Sequence, residues 1–530
     1  MDVVLVLHSH LPYVLHHGRW PHGSDWLSEA TVDSYLPLLE MLHRLRDDDI
    51  STPLTVGVTP VLASQLTDPA FPSILAAWFD QRDQACAEAP RTLAETGDQH
   101  LIPLVAFWSR RLKRLRTLFD SINGDLVRAF ARLEQAGRIE LTSSAATHGF
   151  LPLLHRPESV SLQLSLGRSE HQRLFGTPPS GCWIPECGYT PGLESQVTRA
   201  GFKYFFADAH VARAGEQVDV YRTADAAREV AAAADPPPRE HSPYYPYRVG
   251  SSTTLLRDPV TSRQVWSRYE GYPGDEHYLE FHKIRWPEGF RFWQVSVPGS
   301  DLGEKLPYRP ESARTRAKHH ARHFVSLLQD TARTTNDPTA AIVAPFDTEL
   351  FGHWWFEGPE FLASVFEVMG RTRNVHLSTA SAHLSKHPPA ESIQLQQGSW
   401  GAGGDFRMWQ NERTEWTWSR LAALEETFWR VARPGLADER LHFVLAQAAR
   451  ELLLAQSSDW QFIITTGAAA DYAEKRFTEH CNQAEGLMIG LQASEFIGPS
   501  THLAEQYGTR NRLFPDILPA ISSALASHHP

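Results

Sequence analysis

Six short apolar runs in this sequence each end on residues able to do chemistry. "VVLVL" leads into His8, Ser9 and His10, "PLTVGV" into Thr59 and Pro60, and "RIELTSS" towards Thr147, His148 and Gly149. "GCWI" leads into Pro185 and Glu186, "FKYFFAD" ends on Asp208, and "AAIVAPF" leads into Asp347, Thr348 and Glu349. Short, nearly continuous apolar runs fit strands covered on both faces. Helical patterns such as Val32–Leu45 and Arg110–Gly137 lie between them. Strands alternating with helices indicate a parallel α/β architecture. Functional residues at several strand ends point to a barrel with its site at the strands' C-terminal ends. An open doubly wound sheet also binds ligands there. No G-x-G-x-x-G follows the first run, so a dinucleotide site has little support.

At 530 residues the chain is long enough for one large barrel with additions, or for two to three domains. Residues 207–247 break the pattern. An alanine-rich stretch there is followed by Pro236, Pro237 and Pro238, then by Pro243 and Pro246, which keep the backbone extended. An insertion over the barrel mouth and a disordered surface excursion both fit that composition. From Glu412 to about His480, apolar residues recur at three- and four-residue spacing. We therefore expect a catalytic domain over 1–390 and a helical C-terminal domain over 391–530, hinged by "GSWGAGGD". The run Val3–Leu7 has no basic residues before it, unlike a signal peptide. No stretch is long and apolar enough to span a bilayer. A soluble cytoplasmic protein is expected.

A net charge of −12 argues against a nucleic-acid partner, which would require a basic face. The four cysteines make no disulfide scaffold, and Cys182 and Cys187 lack the second pair that a zinc site would need. The 16 tryptophans are the less ordinary component. Indole faces are natural partners for the apolar C–H faces of sugar rings.

Glu186 and Asp347 occupy the same kind of position, just past a buried run. Two carboxylates about 5–5.5 Å apart cleave glycosidic bonds with retention, one as nucleophile and one as general acid/base. The acid must keep its proton near neutrality, which burial among aromatics such as Trp354, Trp355 and Phe356 favours. The nucleophile needs its charge, with His8, His10 or His148 as donors. The H-x-H of His8 and His10 supports a rival: a divalent-metal site completed by Asp347 and His148, with Glu186 as base on a bound water. In the bland reading, these histidines hydrogen-bond sugar hydroxyls. A binding-only carbohydrate module would need the aromatic platforms but not the paired acids.

The longer motifs resemble glycoside hydrolase family 57, and within it the glycogen (1,4-α-glucan) branching enzymes. They are "HSHLPY", "ELTSSAATHGFLPLL", "WIPECGY", "QVWSRYEGYPGD", "FDTELFGHWWFEGP", "GSWGAGGDFRMWQN" and "SSDWQF", in the family's order and spread over nearly the whole chain. The resemblance implies an α/β fold, an incomplete (β/α)7 barrel with an inserted region and a helical C-terminal domain. It implies Glu186 as nucleophile and Asp347 as general acid/base. It places His8, His10 and His148 at the sugar site, Trp266, Trp400 and Trp409 along the glucan groove, and Asp459 in the cleft. Trp355, close in sequence to Asp347, joins them as an expected substrate-binding residue. No metal or organic cofactor is implied. The implied partner is an α-glucan, met by a monomer or homodimer, with no membrane or nucleic acid. The implied activity cleaves an α-1,4 bond and transfers the glucan to a 6-hydroxyl through a glycosyl–Glu186 intermediate. Hydrolysis of α-1,4-glucan on the same scaffold is the alternative. The family's branching enzymes carry a tyrosine on a mobile loop over the site. This chain has the alanine- and proline-rich stretch instead, with Tyr244, Tyr245 and Tyr247 late in it. A loop unable to close would favour hydrolysis.

Overall fold

The structure is a computed structural model that describes residues 1–215, 240–267, 270–297, 301–492 and 497–528. The expected insertion over 207–247 therefore lies largely outside the described residues. Among these residues the backbone forms ten strands: β1 Asp2–Ser9, β2 Leu54–Val58, β3 Ile139–Ser144, β4 Gly181–Trp183, β5 Tyr204–Asp208, β6 Tyr247–Val249, β7 Ser252–Arg257, β8 Ala341–Asp347, β9 His376–Leu377 and β10 Glu391–Ser392. Seven of them run in the order β8-β1-β2-β3-β4-β5-β7, each parallel to its neighbour. The two outer strands share no ladder, but the Asp258 amide just past β7 donates to the Val343 carbonyl of β8 at 2.8 Å. This is the expected incomplete (β/α)7 barrel. The antiparallel β6 and then β10 extend β7 outward, and β9 lies beside the first residues of β1.

Alternation along each strand sorts its side chains into two cores. Val4 and Val6 face the barrel interior with Trp183, Phe206, Leu255 and Val343. Val3, Leu5 and Leu7 face the surrounding helices and pack with Leu36, Leu39, Phe324 and Phe366. The lower end of the barrel is closed by the helix Ala380–Lys386. The Ala380 amide donates to Thr55 Oγ1 at 3.0 Å and the Ser381 amide to Glu140 Oε2 at 2.9 Å. Tyr204, from β5, donates its hydroxyl to Glu140 Oε1 at 2.6 Å.

The periodic stretch Arg110–Gly137 resolves into two helices, Ile102–Ser121 and Leu126–Gln135. Asn123 and Gly124 take left-handed conformations (φ 54° and 72°), which end the first. Asp125 then caps the second, accepting from the Arg128 amide. The pattern around Val32–Leu45 belongs to one helical run, Ser24–Asp47, with a π-helical insert at Thr31–Tyr35. Such inserts are frequent at functional sites, and the last residue of this one, Tyr35, donates its hydroxyl to Glu349 just past β8.

Beyond residue 400 the chain is helical. Leu424, Phe428, Leu452, Trp460, Phe477 and Phe514 form its core, and that core also takes in Tyr13, Val61, Ala146 and Leu162 from the barrel. The helical segment is thus seated on the loops after β1, β2 and β3, at the C-terminal face of the barrel. Tyr244 and Tyr245 lie beside the start of β8, and Tyr247 opens β6. Tyr244 accepts at its carbonyl from Ala341, which opens β8, and Tyr245 donates to Asp337 at 2.8 Å.

The helix Pro157–Phe175 holds β3 in place through an approach that only glycine permits. A Cβ on Gly167 would lie 2.1 Å from the Ser144 carbonyl oxygen. Gly167→Ala is expected to lower stability by about 1–3 kcal/mol, the usual range for overpacking, as read from denaturant unfolding. An unchanged midpoint would contradict this account of how β3 is held.

Candidate active site

The loop after β4 sets the first acid. Pro185 opens a single 3₁₀ turn, and the next two residues, Glu186 (φ 61°) and Cys187 (φ 48°), are both left-handed. Such conformations cost of order 1 kcal/mol or more each and persist only when their surroundings fix them. Here the Trp400 amide donates to the Glu186 carbonyl at 3.0 Å, and Tyr189 and Gly398 exchange two backbone hydrogen bonds. His148, after β3, is left-handed as well (φ 58°).

Strand register sets the second acid. Asp347, the last residue of β8, is paired with His8 near the end of β1. Both continue the inward rows Val4–Val6 and Val343. Arg257 ends β7, donating to Asp208 Oδ2 at 3.0 Å and to Ser262 Oγ at 2.8 Å, with its guanidinium 5.4 Å from the Trp400 ring centre. His210 and Arg257 hold Asp208 down at about 2 against its burial.

These residues open into one cavity of about 270 Å³. His8, His10, His148, Glu186, Trp266, Asp347, Trp400, Trp409 and Asp459 all line it, so nine of the ten residues singled out from the sequence come together. Trp355 does not. It is 1% exposed and packs against Phe361 and Tyr278 in the outer core, while Trp354 is 42% exposed and lines the cavity instead. Two residues side by side in a turn point opposite ways, and nearness in sequence to Asp347 could not say which. Trp409 is fully buried, stacked on Phe150 at 4.5 Å, and backs Gly401 rather than presenting an open face. Trp266 and Trp354 stand 6.3 Å apart on the rim.

The two acids sit in different surroundings. Glu186 Oε2 accepts from the Trp400 indole N–H at 2.9 Å, and Oε1 accepts from the Ser458 hydroxyl at 3.1 Å. The expected histidine donors are corrected by this geometry: His148 stands 3.7 Å from Oε1, and His8 and His10 bond elsewhere. Burial raises Glu186, while Trp400, His10 and Ser458 pull against the rise. Asp347 has no such help; among the described residues no donor reaches its carboxylate. Burial, and then the charges of Glu349 and Glu186, push it well above the usual carboxylate range against the pull of Arg257. A third buried carboxylate, Glu349, is raised to about 7 by burial, and its Oε1 accepts from Tyr35 at 2.5 Å and from the His10 amide at 3.1 Å.

The histidines form a stack. His10 bonds Asp459 at 2.9 Å and Thr59 at 3.1 Å, so both ring nitrogens are taken. Burial opposes its charge, but the Asp459 carboxylate outweighs this and raises it. Its ring lies 3.9 Å from that of His148. Burial and the neighbouring His10 push both His8 and His148 well down, leaving them neutral. The H-x-H pair thus stacks rather than converging on a point. Among the described residues the His, Cys, Asp and Glu groups close enough to hold an ion are Asp2, His383 and His387, at the far end of the barrel.

Arg257 and Ser458 were not singled out from the sequence, and Glu349 and Trp354 were named there only as neighbours of Asp347, without a site role of their own. Arg257 and Glu349 share the signal that found the others, a polar residue at a strand's end. Ser458 precedes Asp459 in "SSDW" but gave no signal of its own.

Residues 4–396 match the family model of glycosyl hydrolase family 57, and residues 420–521 match that of the C-terminal region of 1,4-alpha-glucan branching enzymes. The 1,4-alpha-glucan branching enzyme of Thermococcus kodakarensis is 37% identical, over 97% of this chain and 78% of that protein. The crystal structure of the branching enzyme from that archaeon, with glucose and additives, superposes with a TM-score of 0.88 at 34% identity, covering 98% of this chain and 96% of the other. The alpha-amylase AmyC of Thermotoga maritima gives 0.82 at 28% identity, covering 98% and 99%. Together with the barrel and its paired acids, these matches establish that the chain belongs to glycosyl hydrolase family 57.

Proposed function

We propose that this protein is a retaining 1,4-α-glucan branching enzyme in which Glu186 is the nucleophile and Asp347 the general acid/base. The observation that carries the assignment of roles is the contrast between the acids. Glu186 has two neutral donors that favour its charge, whereas Asp347, beside two other buried carboxylates, favours its proton. In the first step a Glu186 oxygen attacks the anomeric carbon, the bond to O4 breaks, and Asp347 gives its proton to the departing O4. In the second step Asp347 takes the proton of an acceptor 6-hydroxyl, whose oxygen attacks the same carbon and releases Glu186. Two inversions give net retention.

Transfer requires that the acceptor reach the intermediate before water does. Trp26, Trp266, Trp354, Trp400, Phe462 and Ile463 give the cavity largely apolar walls that stack on sugar and exclude water. His10, its charge favoured by the bonded Asp459, lends positive character to the cleft wall. The natural substrate in this reading is a cytoplasmic glycogen-like glucan, acted on by a monomer or homodimer without a cofactor. The barrel domain is 1–390, and the helical domain of 391–530 completes the cleft. Hydrolysis is the second reading, favoured by the likeness to AmyC across nearly the full length of both chains.

Incubation with amylose, followed by proton NMR of 1,6 linkages and a reducing-end assay, tests the activity. Branching predicts new 1,6 signals with few new reducing ends; reducing ends rising without 1,6 signals would establish the hydrolase instead. Asp347→Asn is expected to lower turnover by about 10²–10⁴-fold, and Glu186→Gln by at least as much. Either variant retaining wild-type turnover would remove the assignment.

The pH profile tests the electrostatics. Activity needs Asp347 protonated, so it falls as pH rises through the raised value of that group. Glu349→Gln removes one of the charges that raise it, so the basic limb of kcat/KM should move to lower pH. A limb that stays in place or moves up would show that Glu349 does not set the protonation of Asp347.

A further inference from the structure

We infer that Ser458, supplied by the helical segment, is a positioning residue that holds Glu186 in its ionised form at the end of a one-way hydrogen-bond chain running His8, His148, Ser458, Glu186. The inference rests on the reading of Glu186 as nucleophile. The links are His8 Nε2 to His148 Nε2 at 3.0 Å, His148 Nδ1 to Ser458 Oγ at 3.0 Å, and Ser458 Oγ to Glu186 Oε1 at 3.1 Å. His8, His148 and Ser458 are all buried. Backbone pairing fixes the junction, since the Ser458 amide donates to the His148 carbonyl at 3.1 Å.

With both imidazoles neutral and every bond made, protons run along this chain in one direction or the other. In the first, His8 carries its proton on Nε2 and donates to His148. His148 then carries its own on Nδ1 and donates to Ser458, and the Ser458 O–H is left for Glu186, which accepts as a carboxylate. In the second, every bond is reversed: a protonated Glu186 donates to Ser458, Ser458 to His148 Nδ1, and His148 Nε2–H to His8 Nε2. The proton of His8 must then sit on Nδ1. That atom is buried and has no hydrogen-bond partner among the described residues. It lies beside Gly57, where an added Cβ would come 3.4 Å from it and 3.2 Å from the Thr142 hydroxyl, which makes no hydrogen bond to it. A buried N–H without an acceptor is rarer and costlier than an acceptor left short of a donor. The first order is therefore favoured, and with it the charged nucleophile.

Other ionisable groups face Glu186 from each neighbouring element. His10 favours its charge, Asp459 and Asp347 oppose it, and Cys187 is buried and neutral. The His10 and Asp459 charges largely offset each other as a bonded pair. The Trp400 indole bond is independent of the chain and remains when Ser458 is changed.

Ser458→Ala removes one oxygen and makes the test. Total glucan turnover, transfer plus hydrolysis, is measured against pH, so the result does not depend on which reaction dominates. We expect kcat to fall about tenfold or more, the value typical of one hydrogen bond to a charge, with KM little changed. The acidic limb of kcat/KM should move up by about one pH unit, since tenfold corresponds to one unit. Ser458→Thr keeps the hydroxyl and should return the limb to its wild-type position. An acidic limb unmoved in Ser458→Ala, or displaced equally in both variants, overturns the inference. Glu186→Gln assayed alongside separates the two levels. If it stays active, the nucleophile assignment fails. If it is dead while Ser458→Ala titrates like wild type, only the positioning role fails.

Discussion

Seven residues of β8 pair in register with seven of β1, and the strands so joined come from the two ends of the barrel segment. Every residue of β1 is buried, so this ladder has no solvent to fall back on. It decides which side chains share the lumen. Val4 and Val6 meet Val343 below, and His8 meets Asp347 at the mouth. A slip of one residue would turn Asp347 into the helix layer and bring Phe346 into the site. The barrel interior, the second acid and the first histidine therefore depend on one pairing.

The mouth built on that pairing concentrates charge where water is scarce. Glu186, Asp347 and Glu349 are buried together, with Asp459 and Asp208 close by. Unpaired, such groups would be too costly to hold. Asp208 is matched by Arg257 and His210, and Asp459 by His10. What remains is a set of carboxylates that cannot all ionise at once, and the uneven supply of neutral donors, two on Glu186 and none among the described residues on Asp347, decides between those two. Both donors to the Glu186 carboxylate, Trp400 and Ser458, lie C-terminal to the barrel strands. The helical segment is thus part of the electrostatics of the cleft as well as its wall.

Much of this was legible in the sequence because buried parallel strands announce themselves as apolar runs, and a barrel puts its chemistry where such runs stop. That logic brought out His8, His148, Glu186, Asp208 and Asp347 from local pattern alone. It passed over Arg257, whose strand carries two threonines and reads as less apolar. Direction within a turn was not legible, hence Trp354 in the place of Trp355. Nor was the break at Asn123 and Gly124, where helical periodicity continues across a real stop. Ser458 depends on contacts with His148 and Glu186, both far away in the chain, and no local pattern encodes such a meeting.

The central claim is that Glu186 carries the glucan between donor and acceptor. The most direct measurement is to trap that intermediate with an activated fluoro-substituted maltosyl fluoride, digest the protein, and locate the added sugar by mass spectrometry. The account predicts a single labelled peptide with the sugar on Glu186. Label on Asp347 or Glu349, or full inactivation with no covalent label, would contradict it.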